Sequence, residues 1–110
     1  MLSMKLYVAQ RLTAMLMAPL VILHLGVMIY AIQGGLTSAE ILGRTQGSFL
    51  WGAIYGLFVV AVSVHAAIGL RVVIHEWFGI TESRLNWITS IITLVLLGLG
   101  GRAVYAVVLS

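Results

Sequence analysis

Three long apolar stretches separated by two short polar intervals organise the chain. A helix needs about 20 apolar residues to cross the hydrocarbon of a bilayer, and positions 12–32, 49–74 and 88–109 each satisfy that length. The first stretch carries no charge and is broken only by Thr13 and His24; the second contains Ser63, His65 and Arg71; the third contains Thr89, Ser90, Thr93 and Arg102. The interval 33–48 is rich in Gly, Ser and Thr, and the interval 75–87 holds two glutamates and one arginine; both read as connections. Strict alternation over about ten residues, the signature of a membrane barrel strand, is absent. The pattern therefore predicts an all-α membrane protein with three transmembrane helices in one domain spanning residues 1–110. Pro19 lies inside the first span and predicts a kink or a loosened turn, which membrane helices tolerate. That span is too long for a secretory signal, whose apolar core runs to about 7–15 residues, and no small-residue cleavage site closes it.

Composition sharpens the class. With 62% hydrophobic and 8% charged residues, the chain lies far from the roughly 25% charged composition of soluble domains, so a water-soluble globule is excluded. Six basic and three acidic residues provide no patch suited to nucleic acid. The absence of cysteine excludes a disulfide framework, a thiolate nucleophile and a cysteine-ligated cluster. Basic residues concentrate on the side of membrane proteins that is not translocated. Lys5, Arg11, Arg71 and Arg84 fall on one side, Arg44 and Arg102 on the other, so the N-terminus is expected inside. Tyr7, Trp77 and Trp87, with Trp51, Tyr30 and Tyr105 opposite, suit two interfacial belts. Ser48, Gly52 and Gly56 form a small-residue ladder, and Gly98, Gly100 and Gly101 crowd the third span; such ladders serve packing within a chain or docking against a partner.

Few polar groups remain, and ionisable residues within a membrane are costly and commonly functional. His65 lies about six residues, or roughly 9 Å, before Arg71 and so away from the interface. It is either a neutral histidine bonded to a neighbouring helix or a metal ligand. Without cysteines, and with no carboxylate on the same turn, zinc is a poor match; a b-type haem, held by axial histidines in an apolar slot, fits better. Gly69, one turn on, leaves room for a flat macrocycle or for another helix, and Arg71 and His75 lie toward the boundary where haem propionates need cations. His24 falls roughly 20 Å along the first span from Arg11, in the outer half of the bilayer. It is a candidate ligand of a second haem, or else a histidine bonded to a neighbouring helix or water. Arg11 and Arg102 can also be read as snorkelling side chains at the boundaries.

The run His65-Ala66-Ala67-Ile68-Gly69-Leu70-Arg71, followed by Glu76, resembles the H-x-x-x-G-x-R…D segment of the cytochrome b-type membrane anchors of succinate dehydrogenase and fumarate reductase, complex II. Gln10-Arg11-Leu12-Thr13-Ala14 is similar to the H-R-x-[ST]-G element of the larger anchor, matching at Arg11 and Thr13 and departing at Gln10 and Ala14. Glu76-Trp77 stands where the smaller anchor has an Asp-Tyr pair. The resemblance implies half of a haem-binding bundle completed by a second anchor subunit, with His65 an axial ligand of haem b. It also implies a quinone site near Arg11, Thr13, Glu76 and Trp77, where Arg11 would donate to a quinone carbonyl, Glu76 relay protons and Trp77 offer its N–H. Iron–sulfur and flavoprotein subunits would complete the complex, which passes electrons from succinate to quinone. The expected location is a bacterial inner membrane or the mitochondrial equivalent, with one haem, or two if His24 also ligates. Two other readings stay open: a haem-free assembly or proton-conducting subunit of another complex, and a haem-less fumarate reductase anchor, which the presence of His65 disfavours.

Overall fold

A computed structural model describes residues 3–109, which form four helices in the order α1 (Met4–Gly34), α2 (Ser38–Thr45), α3 (Phe49–Phe78) and α4 (Glu82–Val108). Three of them, α1, α3 and α4, are long and apolar enough to cross a membrane, with mean hydropathies of 2.2, 2.3 and 2.0 in their most apolar windows. The 31 residues of α1 rise roughly 46 Å at about 1.5 Å each, more than the about 30 Å of hydrocarbon. Helix α1 begins eight residues before the apolar run does, carrying Lys5, Tyr7 and Arg11 out of the hydrocarbon. Staying helical there keeps every backbone group bonded as the chain enters lipid. Pro19 lies within α1, which continues on both sides of it.

Helix α3 is the centre of the arrangement: α1 and α4 both pack on it, and α2 packs on α4. The molecule is a slab of 48 × 24 × 23 Å. The three-residue link between α3 and α4 turns at Gly79, whose φ of 61° is left-handed and whose N–H bonds the His75 carbonyl. Glycine closes such helix ends without the steric cost that a Cβ brings. So short a link makes α3 and α4 antiparallel neighbours.

The α3–α4 contact is made by small residues, and the ladder read from the sequence takes part in it only at Gly52. Ser63 and Ala67, one turn apart, are buried and the same ridge ends at buried Arg71. On α4, a Cβ at Gly100 would lie 2.5 Å from Val59 Cγ1, so glycine is what lets the backbones approach there. In the expected ladder, Ser48 caps α3 through the Trp51 N–H, Gly52 faces Val108, and Gly56 meets nothing within 4 Å. Gly98 and Gly101 are open as well.

The α1–α3 contact is a different kind of seam. From 10 to 31, the half-buried positions of α1 are Gln10, Thr13, Met17, Leu20, His24, Val27 and Ala31. Their alternating spacing of three and four residues is the seam of helices packed at a shallow left-handed angle. No residue of α1 is fully buried, and the remainder of its surface is apolar side chains such as Met15, Ile22 and Ile29.

The interval 33–48, expected as a plain connection, contains α2 and serves as a roof. Thr37 caps α2: its hydroxyl accepts from the Glu40 N–H at 3.2 Å and donates to the Glu40 carboxylate at 2.6 Å. Arg44 donates to the Gly35 carbonyl past the end of α1 and lies over the Tyr30 ring, 5.8 Å from its centroid. Thr45 is buried and donates to the carbonyls of Val107 and Ile41, and the Gly47 N–H bonds the Val108 carbonyl at 2.6 Å. Helix C-termini leave carbonyls without helical partners; α2 and its flanks bond those of Val107 and Val108 at the end of α4 and the Gly35 carbonyl just beyond α1.

Candidate functional site

The antiparallel register of α1 on α3 decides where the polar residues of the spans meet. Gln10 lies against Gly69, Thr13 against His65, and His24 against Tyr55 and Phe58. Both histidines of the spans therefore face one seam, separated by roughly 16 Å, the rise of the eleven residues from Thr13 to His24.

At the end nearer the start of α1, the expected inner end, His65 Nδ1 is 3.2 Å from Thr13 Oγ1. The same hydroxyl lies 2.8 Å from the Ala9 carbonyl and 3.0 Å from the Gln10 carbonyl. Gly69 faces the Gln10 side chain: a Cβ built there would be 3.7 Å from Gln10 Nε2, an ordinary contact. The Gln10 carbonyl oxygen, Oε1, is buried without a hydrogen-bond partner among the described residues.

At the outer end, His24 is held by rings, edge-on to Tyr55 at 6.2 Å and tilted on Phe58 at 5.2 Å. Its Nδ1 is buried and has no hydrogen-bond partner among the described residues. It lines a cleft of about 920 Å³ bounded by α1, α3 and α4 beneath α2, with Trp51, Tyr55, Phe58 and Val104 on its walls and Arg44 at the outer end. Trp51, expected in the outer aromatic belt, is half-buried and stacked on Tyr55 at 5.5 Å.

The other expected site residues are dispersed. Arg71 is 3% exposed; it donates to Thr89 Oγ1 of α4 at 3.3 Å, and its Nε is buried without a partner among the described residues. It therefore faces α4, away from the α1 seam that holds His65. His75 Nδ1 donates to the Ile80 carbonyl at 3.3 Å and fixes the turn after α3. Arg11 is exposed, with its guanidinium 5.8 Å from the Tyr7 ring centroid, and Glu76 and Trp77 are exposed at the inner end of α3. Arg11, Glu76 and Trp77 thus lie at the end of the bundle shared by the start of α1 and the end of α3, open to a neighbouring chain, a lipid or a small molecule. Arg102 is exposed, consistent with snorkelling. Thr89 and Thr45 carry tertiary hydrogen bonds that the sequence pattern did not mark.

These residues can hold a haem iron in one respect that the structure tests. A ligating histidine usually gives its second ring nitrogen to a hydrogen-bond partner, which fixes its orientation, and His65 has such a partner in Thr13. Among the described residues no cluster of three His, Asp or Glu side chains could form an all-protein metal site.

Residues 1–106 match the family model described as succinate dehydrogenase/fumarate reductase transmembrane subunit. No curated protein and no solved structure matches the chain. The chain belongs to the succinate dehydrogenase/fumarate reductase transmembrane subunit family, in agreement with the resemblance carried by His65–Arg71 and by Arg11 and Thr13. The all-helical architecture with three spans is that of a membrane anchor.

Proposed function

We propose that this chain is the haem-bearing anchor of a succinate:quinone oxidoreductase, with His65 as one axial ligand of a haem b shared with a second anchor subunit. The observation that carries the reading is the Thr13–His65 pair: an intramembrane imidazole held by one nitrogen, in a chain of this family. A bound haem b supplies one-electron storage between the iron–sulfur subunit and quinone. Three spanning helices are too few to enclose a macrocycle, so the opposite ligand and wall come from the partner anchor. The cations expected for propionates are committed elsewhere in this chain, Arg71 under α4 on Thr89 and His75 to the Ile80 carbonyl, so propionate partners come from the second anchor.

The quinone site is assigned to the inner boundary. Arg11 holds five donors that keep their protons at any working pH, so it can orient and polarise a quinone carbonyl but not protonate it. Glu76, exposed near the same surface, can carry protons between water and the quinone, and Trp77 adds one N–H donor. Iron–sulfur and flavoprotein subunits supply the cluster and the succinate chemistry, since the chain itself holds neither cysteines for a cluster nor a nucleotide-binding loop.

The test is spectroscopic. In the purified complex, His65→Ala is expected to remove the dithionite-reduced b-type absorption and to weaken the association of the two anchors, because a shared haem links them. Retention of full haem and an unchanged spectrum contradicts the ligand assignment. The cleft beside His24, with its unpartnered Nδ1, favours a second reading in which a further haem occupies the outer half. A pyridine haemochrome count of two haems per complex supports it, and a count of one excludes it.

A further inference from the structure

We infer that Thr13 is the positioning residue of His65, fixing it as the Nδ1–H tautomer and aiming Nε2 as the coordinating atom. This moves Thr13 from quinone contact to the haem side, and it rests on the reading of His65 as an axial ligand.

The argument is one of counting hydrogens. A threonine hydroxyl has one hydrogen to give and lone pairs to accept with. Within hydrogen-bond reach of Thr13 Oγ1 are the Ala9 carbonyl at 2.8 Å, the Gln10 carbonyl at 3.0 Å and His65 Nδ1 at 3.2 Å. Carbonyl oxygens only accept, and theirs are the two shorter contacts, so the hydroxyl hydrogen goes to the backbone of α1. The lone pair of Oγ1 then faces the imidazole, and only an N–H on Nδ1 completes that contact. A neutral imidazole carries one N–H, so Nε2 keeps its lone pair. That is the protonation state that an iron ligand requires, and the partner of the second nitrogen sets which state is present.

The geometry around the pair holds it in place. Thr13 is half-buried on the α1 seam, tied back to its own helix by Ala9 and Gln10. Arg11, two residues earlier, is exposed on another face of α1. The two residues shared by the H-R-x-[ST]-G resemblance therefore serve different surfaces. Arg11 faces outward at the boundary, and Thr13 faces the histidine. No acidic or basic side chain bonds His65 among the described residues; its contact is the hydroxyl.

The first measurement needs no haem. The full chain, labelled with ¹⁵N-histidine and reconstituted in phosphatidylcholine bilayers, reports the tautomer through its ring nitrogen shifts, with His65 assigned by the signal lost in His65→Gln. Wild type is expected to show Nδ1–H, Thr13→Val to shift toward Nε2–H, and Thr13→Ser to restore the wild-type pattern. A wild-type Nε2–H tautomer, or a Thr13→Val spectrum identical to wild type, overturns the inference. The second measurement uses the assembled complex. Loss of a hydrogen bond to an axial histidine lowers its basicity, and such losses cost about 10–100-fold in metal affinity or activity. Thr13→Val is therefore expected to raise the haem midpoint potential and to release haem at least about tenfold more readily, with Thr13→Ser close to wild type. A raised KM for quinone with an unchanged potential overturns the inference in favour of quinone contact. A wild-type complex without haem refutes the ligand reading separately, and the tautomer shifts then judge the Thr13–His65 pair alone.

Discussion

The two ends of the α1–α3 seam hold a histidine each and treat it differently. At the inner end His65 meets a hydroxyl at 3.2 Å, one turn from Gly69, which faces Gln10. At the outer end His24 meets only rings, with a buried nitrogen unpartnered and a cleft of about 920 Å³ at its side. A hydrogen bond selects one orientation and one tautomer, whereas ring packing constrains the plane and leaves the nitrogens uncommitted. The difference teaches that intramembrane histidines on one seam need not share an environment: one is held by a hydroxyl, and the other has room beside it.

Substitutions that break this contrast follow in order of expected effect. The largest is His65→Ala, which removes the haem and loosens the anchor pair, while His24→Ala keeps the inner haem; haem per complex and subunit co-purification measure both. Next is Gly100→Leu at the α3–α4 crossing. A Cβ there lies 2.5 Å from Val59, and overpacking costs about 1–3 kcal/mol or more, read as a lower thermal unfolding midpoint in detergent. It disturbs both ends of the seam through α3, so an unchanged midpoint would show that the crossing is looser than described. A smaller effect is expected from Thr45→Val, which strips the buried Val107 carbonyl of a donor at a cost of about 1–3 kcal/mol. It should loosen the roof and leave the b-type spectrum unchanged; an altered spectrum would join the two ends that the account keeps apart. The smallest is Thr37→Ala, which removes the cap of α2 and costs roughly 1 kcal/mol, visible as faster hydrogen exchange in residues 38–45.

How much of this was legible in the chain depends on what sets each feature. The three spans follow from apolar length alone, because lipid forces the backbone to satisfy itself within each helix. The early start of α1 was hidden by Lys5, Gln10 and Arg11, which lower hydropathy without breaking the helix. Helix α2 was hidden because a short amphipathic helix between Gly, Ser and Thr looks like a loop; its one legible signal was Thr37 followed three residues later by Glu40. His65 stood out because a histidine at that depth is costly. Its pairing with Thr13 was not readable, since it depends on the register of α1 against α3, which spacing within either helix does not set. Arg71 shows the same limit: its sequence position lies near a boundary, but its ridge with Ser63 and Ala67 turns it under α4 onto Thr89.

The most direct test of the account is the reduced-minus-oxidised spectrum of the purified complex, compared between wild type, His65→Ala and His24→Ala at equal protein. The account predicts a b-type band in wild type that is lost in His65→Ala and retained, in whole or in part, in His24→Ala. A band that survives His65→Ala, or that vanishes with His24→Ala alone, would contradict it.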